Sequence, residues 1–403
     1  MNWPLISLNQ ICNTQYGYTA SADDFEVGPK YLRITDIASG PIDWGSVPYC
    51  KISESDYLKY KLNTGDIVIA RTGNTTGYAK LIRNNNDAVF ASYLVRIKIK
   101  SDLANSGYIG RLIESDIYKN FVRSIKGGAA QGNANATTLT LFKFCLPPIE
   151  VQRIITSILS AYDDLIDTNR RRIQLLEEAS RLLFREWFVY LRFPGHEKVK
   201  IVDGVPEGWK KGNMYDISKV KSGYAFNSKD WLDEGNPVIK IRNIIGDGSV
   251  NLDNCSFIDQ DVAVKAKDFS LKKGDLLIAM TGATIGKVGL LSENSKTVYL
   301  NQRVGKFIPK FEGAELILYC FFMSTTVQNH ITNYAGGAAQ PNISASQIES
   351  IKIIVATRNF YNQFVDLVGP MFEEILNLGN QNQKLAQARD LLLPRLMSGK
   401  IEV

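Results

Sequence analysis

Residues 62–73, LNTGDIVIARTG, return as residues 271–282, LKKGDLLIAMTG, and the shift of 209 that relates them holds far beyond this stretch. GGAAQGN from Gly127 recurs as GGAAQPN from Gly336, and IQLLEEASRLL from Ile173 recurs as NQKLAQARDLL from Asn382. One register therefore spans a globular segment and the helical segment that follows it. A period near 209 is far longer than the roughly 20–50 residues of solenoid repeats. The chain is a duplicated unit of domain plus helix, and two copies of a unit imply two copies of a site.

Length agrees, because 403 residues exceed what one hydrophobic core usually serves. The formal charge of +6 is mildly basic: residues 1–150 carry 16 Lys/Arg against 13 Asp/Glu, and residues 197–357 carry 19 against 17. That permits nucleic-acid binding without demonstrating it, since binding needs a local basic face. The five cysteines (Cys12, Cys50, Cys145, Cys255 and Cys320) form no Cys-x-x-Cys and are odd in number, which points to free thiols and a cytoplasmic location. No apolar run is long enough to cross a membrane, and the start, MNWPLISLNQ, does not read as a signal peptide.

Each globular module reads as mixed α/β, with short β-branched runs such as Tyr31–Ile34 and Asp66–Ile69 between Gly, Asn and Asp turns. Ile109, Ile113, Ile117, Phe121 and Ile125 recur every four residues, so one helix is expected between Ser106 and Ile125. After Pro147 and Pro148 a long helical pattern runs from about Val151 to Trp187. Its heptad seam comprises Leu159, Ile166, Ile173, Ser180 and Trp187 with Tyr162, Asn169, Leu176 and Leu183. The shift of 209 supplies a partner seam: Val368, Ile375, Asn382, Arg389 and Leu396 with Met371, Leu378, Leu385 and Leu392. The expected architecture is thus two tandem α/β (α+β) modules, each followed by a long helix. Residues 1–150 and 194–357 form the modules, the second entered through a linker, and residues 151–193 and 358–403 form the helices.

Orientation follows from two amides. A parallel pairing of equivalent positions sets Asn169 against Leu378 and Ile173 against Asn382, leaving two buried amides unpaired at about 1–3 kcal/mol each. An antiparallel pairing about a pseudo-twofold axis sets Asn169 against Asn382 and Ile173 against Leu378. It also places Ile166 against Leu385, Leu176 against Ile375, Leu159 against Leu392 and Trp187 against Phe364, and brings Tyr162 to Arg389 for a cation–π contact. An antiparallel coiled coil is expected.

Signatures of catalysis are missing. The two histidines, His196 and His330, have no companion at metal-ligand spacing. GATIGKVG (Gly282–Gly289) is one residue short of a phosphate loop and has Val288 where Ser or Thr should hold magnesium. LPPIE at Leu146 lacks the order of an amino-methyltransferase motif, and no Asp or Glu is followed two residues later by Lys. The carboxylate pairs Asp163-Asp164 and Glu177-Glu178 fall in the helical stretch and read as solvated faces. Neither a catalytic residue, a metal site nor a cofactor of its own is expected of this chain.

What remains is two kinds of polar, glycine-rich loop, each present twice. The Gly-Gly loops carry Gln131, Asn133 and Asn135 in the first module and Gln340 and Asn342 in the second. The Thr-Gly turns carry Arg71, Thr72, Asn74, Thr75 and Lys80, and Thr281, Thr284 and Lys287. Amide side chains suit base edges, whereas Lys, Arg, Thr and backbone N–H groups suit phosphates. These thirteen residues are the candidate DNA contacts. The other reading of the same loops is that the glycines only make turns.

The chain resembles the DNA specificity subunit of Type I restriction-modification enzymes over essentially its whole length. The resemblance rests on LIDTNRRRIQLLEEASRLLFREWF (Leu165–Phe188), PEGW before the second module, QNQKLAQARDLLLPRLMSGKIEV at the C-terminus with its LLLPRLMSG (Leu391–Gly399), and a Thr-Gly turn in each module. It implies that each module reads one half of a split, asymmetric site on double-stranded DNA. The coiled coil then acts as ruler and dock for two methyltransferase subunits, with a restriction and translocation subunit joining for cleavage. S-adenosylmethionine, ATP and magnesium belong to those partners, and no membrane is involved. A duplicated protein-binding scaffold that never touches DNA is the alternative.

Overall fold

The computed structural model describes residues 3–403 except 39, 85, 127–133, 253–254, 293–295, 325, 330 and 332–341. It divides into two units, residues 1–163 with 388–403, and residues 164–387. Among the described residues no helix is long and apolar enough to cross a membrane.

In the first unit the strands β1 (Cys12–Tyr16), β2 (Ile67–Ala70), β3 (Ala79–Leu81) and β4 (Leu94–Ile99) make an antiparallel sheet in the order β1-β4-β2-β3. All four residues of β2 are buried. Ile67 and Ile69 point into a core shared with helices, while Val68 and Ala70 point into a second core on the other face. That is why the stretch is a continuous apolar run and not an alternating one. Helices α1 (Ser106–Glu114) and α2 (Asp116–Lys126) cover the first face.

The single helix expected over this region is therefore two. Ser115 adopts extended backbone, and its hydroxyl donates to the Leu112 carbonyl at 2.6 Å, closing α1 before Asp116 opens α2. The break rotates α2, so Tyr118 and Val122 are buried and Ile117 is exposed.

The second unit repeats the pattern with β5 (Ser218–Ser222), β6 (Gly248–Ser249), β7 (Leu276–Ala279), β8 (Val288–Leu290) and β9 (Val304–Pro309), in the order β5-β9-β7-β8-β6. The run in β7 is again buried on both faces. A buried ion pair ties the central strands in both units: Arg96 to Asp66 at 3.2 Å and Lys306 to Asp275 at 2.6 Å.

Helices α3 (Ile149–Phe184) and α5 (Arg358–Met397) pair antiparallel; α4 (Ala314–Phe322) lies between them in sequence. In the first unit Leu159, early in α3, shares a core with Leu392 and Leu396 at the end of α5. In the second, Trp187, in the π-helical turn that continues α3, meets Phe364 near the start of α5 with ring centroids 5.6 Å apart. At the middle, the Asn169 side-chain amide donates to Asn382 Oδ1 at 3.0 Å, and Asn169 is 1% exposed. The buried amide of Asn169 and the half-buried amide of Asn382 thus satisfy each other in the one register that allows it.

Two expectations about this region fail. Arg389 does not engage Tyr162: its guanidinium goes to Asp163 at 2.7 Å and to Asp390, a charged acceptor being a stronger partner than a ring. The carboxylate pairs are solvated only in part: Asp164 and Glu178 are exposed, but Asp163 and Glu177 are 3% and 7% exposed. Asp163 receives Arg111 at 2.6 Å, Arg83 at 3.0 Å and Arg389 at 2.7 Å. Burial pushes its carboxyl up in pKa, but the three guanidiniums outweigh that and hold it below the usual range. Glu177 accepts the Tyr319 hydroxyl at 2.7 Å; burial first, then nearby Asp247, raises its carboxyl to about 7 despite that bond.

Candidate nucleic-acid interface

The Thr-Gly turn links β2 to β3. After Arg71 the chain makes one 3₁₀ turn, Gly73–Thr75, and returns, with Gly77 N–H donating to the Ala70 carbonyl at 2.8 Å. Gly73 and Gly77 both lie at positive φ, 71° and 88°, which only glycine adopts without strain. In the second unit Gly282 and Gly286 take φ of 77° and 78°, and Gly286 N–H donates to Ala279 at 2.9 Å. The motif is one turn built twice.

The chain leaving each Gly-Gly loop is laid against that turn. Ala134 N–H donates to the Arg71 carbonyl at 3.0 Å, and Ala136 N–H donates to the Tyr16 hydroxyl at 3.0 Å. In the second unit Ile343 N–H donates to the Met280 carbonyl at 2.9 Å, and Asn342 bridges to Thr281. The two loop types, 55–65 residues apart in sequence, therefore converge in each unit through residue 71 or its equivalent 280.

The candidate side chains play unequal parts. Asn74, Asn135 and Asn342 are exposed; Arg71, Thr72, Thr75, Thr281, Thr284 and Lys287 are half-buried. Gln131, Asn133 and Gln340 lie outside the described residues. Asn135 caps the short helix Ala136–Leu139, its side-chain oxygen accepting from Thr138 N–H at 2.8 Å, and Ser344 does the same for Ala345–Glu349. Asn135 thereby does a folding task.

Arg71 is a strut: Nε donates to the Ser92 carbonyl at 3.2 Å, and its guanidinium lies 4.9 Å from the Tyr16 ring centroid. Its counterpart Met280 is buried, with Ser222 at 3.7 Å from its sulfur. Thr284 donates to the Ile241 carbonyl at 3.3 Å and Lys287 Nζ to the Ile245 carbonyl at 3.0 Å, which braces the second turn.

Lys80 stands apart from the turn. On β3 it is half-buried with Glu114, Lys119, Arg83 and Arg389 around it; burial lowers its pKa and Glu114 opposes that. Among the described residues no group of three or more His, Cys, Asp or Glu could hold a metal.

Two residues that the repeat did not single out complete the surface. Arg71 N–H donates to the Tyr93 carbonyl at 3.1 Å, and Met280 N–H donates to the Arg303 carbonyl at 3.0 Å. Tyr93 and Arg303 are thus equivalent, but at a shift of 210, because one residue is gained before β9. A fixed shift of 209 hides them.

A model of the Type I restriction modification DNA specificity domain matches residues 1–178 and again residues 206–357. The chain belongs to this family. Among curated specificity subunits it is 24% identical over 361 residues to the MjaVIII subunit of Methanocaldococcus jannaschii, covering 88% of this chain and 83% of that one. It is 23% identical over 444 residues to the HindI subunit of Haemophilus influenzae, covering 92% and 95%. The crystal structure of a Type I restriction-modification S subunit from M. genitalium shares the fold at a TM-score of 0.56, with 15% identity and coverage of 98% and 96%. The family match falls once on each half of the duplication, so each half carries one specificity domain.

Proposed function

We propose that this chain reads a bipartite, asymmetric DNA sequence, one half-site per recognition domain, and docks methyltransferase and restriction subunits without catalysing a reaction itself. The observation that carries this reading is the convergence of the two duplicated loops in each unit on frameworks that match while their side chains differ. Asn74 stands where the second unit has Ala283, and Tyr78 where it has Lys287. Equal frameworks with unequal side chains suit unequal half-sites. S-adenosylmethionine, ATP and magnesium would be bound by the partners, and the antiparallel helix pair would offer them equivalent faces.

Methylation mapping on genomic DNA tests this, using the full chain with its methyltransferase subunit. The expected result is one split motif with two different halves. A salt series on the same complex should give a log–log slope of about −0.9 per neutralised phosphate. Affinity independent of salt, with no methylated motif, would replace this reading with the protein-scaffold alternative.

A further inference from the structure

Resting on that DNA-reading function, we propose that Tyr93 and Arg303 are the specificity-determining residues of a third reading segment, Tyr93 contacting bases of one half-site and Arg303 a guanine of the other. Residue 71 and its equivalent 280 each hold three segments together. Their carbonyl receives the chain leaving the Gly-Gly loop, and they begin the Thr-Gly turn. Their N–H is given to Tyr93 and Arg303, at 3.1 and 3.0 Å. The third segment is therefore fixed to the candidate surface as firmly as the other two.

Its side chains point to use. Tyr93 is 57% exposed, and Arg303 is exposed with its N–H bonded to Asn301 Oδ1 at 3.2 Å, a local turn that sets the backbone direction there. Among the described residues neither side chain has a hydrogen bond, ion pair or ring contact. Arg71, by contrast, is committed to Ser92 and Tyr16, and Lys287 to Ile245. The exposed groups beside the loops are thus an aromatic ring in one unit and a guanidinium in the other. A guanidinium fork matches guanine O6 and N7 bidentately, while a tyrosine ring offers an apolar edge for a thymine methyl and a hydroxyl for one polar contact. One backbone position carrying two different chemistries accounts for part of the inequality of the half-sites.

The test uses the full chain with its methyltransferase subunit, competing the cognate DNA against single-base variants. Arg303→Ala and Arg303→Lys should both lose about ten- to hundredfold discrimination at one base pair of one half-site and leave the other half-site unchanged. Tyr93→Ala should do the same in the opposite half-site. Thermal melts of each variant establish that it is folded. If Arg303→Lys keeps full discrimination, or Arg303→Ala weakens binding evenly across all variants with a salt slope smaller by about 1, Arg303 contacts only phosphate and the proposal fails. Unchanged discrimination in folded Tyr93→Ala removes the other half. A wild-type complex with no base preference at any position overturns the DNA-reading function itself, and this inference with it.

Discussion

The contact between recognition domain and long helices is ionic in the first unit and neutral in the second. Asp163, Arg111 and Arg389 correspond, at a shift of 209 either way, to Phe372, Cys320 and Ser180, and all three of the latter are buried. Cys320 Sγ lies 3.8 Å from the Ser180 carbonyl, and Phe372 meets Tyr319 with centroids 5.0 Å apart. The second unit has its own polar contact one helical turn away, Tyr319 to Glu177, where the positions equivalent by the shift of 209 hold Gly110 and Ala386. Interface residues have changed in matched sets. The reason is energetic: a buried charge or hydroxyl whose partner is lost costs far more than replacing both.

The sharpest way to break this comparison is to remove one member of a set. Asp163→Ala should destabilise the first unit by about 3–5 kcal/mol, because the buried Arg111 is left without its counter-charge. The measurement is denaturant unfolding followed by a probe in that unit. Since the carboxyl is held below its unfolded value, its stabilisation is present above about pH 4 and fades as the pH drops further. The variant should lack that acid-sensitive component.

The next effect is at the seam. Asn169→Leu or Asn382→Leu alone should cost about 1–3 kcal/mol, whereas the double substitution should be tolerated better than either. Additive losses in thermal melts would mean that the 3.0 Å amide contact contributes nothing specific.

The smallest effect sharpens the neutral side of the comparison. Glu177, raised to about 7 when folded against the ordinary 4.5 of a glutamate, binds its proton more tightly in the folded state. It therefore lowers stability progressively as the pH rises from about 4.5 to about 7. Glu177→Gln keeps an acceptor for Tyr319 and removes the charge. It should gain about 1–2 kcal/mol at pH 8 and nothing at pH 4. Equal melts of the two proteins at both pH values would show that Glu177 is not strained by burial.

These residues mark how far the sequence could be read. The duplication, the strand run at Asp66–Ile69, observed as Ile67–Ala70, and the Asn169–Asn382 register are written in local pattern and periodicity, so they were legible. The burial of Asp163 was not, because it depends on Arg111 from 52 positions earlier and Arg389 from 226 later. The break at Ser115 was hidden because a four-residue spacing of apolar residues looks the same across two helices as along one. Of the candidate DNA contacts, the convergence of the loops through residues 71 and 280 was not visible. Tyr93 and Arg303 were concealed by a single inserted residue. At Asn135 capping and base reading favour the same side chain, so its cap on Thr138 N–H was not distinguishable in the sequence.

The asymmetry of the helix seam also bears on how the gene keeps its second copy. A recombination between the LNTGDIVIARTG and LKKGDLLIAMTG stretches would delete one period of 209 residues and leave a single module with the C-terminal helix. The strand ion pair would survive, with Asp66 or Asp275 against Lys306. Two such shortened chains pairing antiparallel would instead set Asn382 against Leu378 of the partner subunit, twice, and bring Arg389 to Phe372 of the partner subunit in place of the buried carboxylate of Asp163. The seam thus favours two unequal helices in one chain over two equal ones paired in this register.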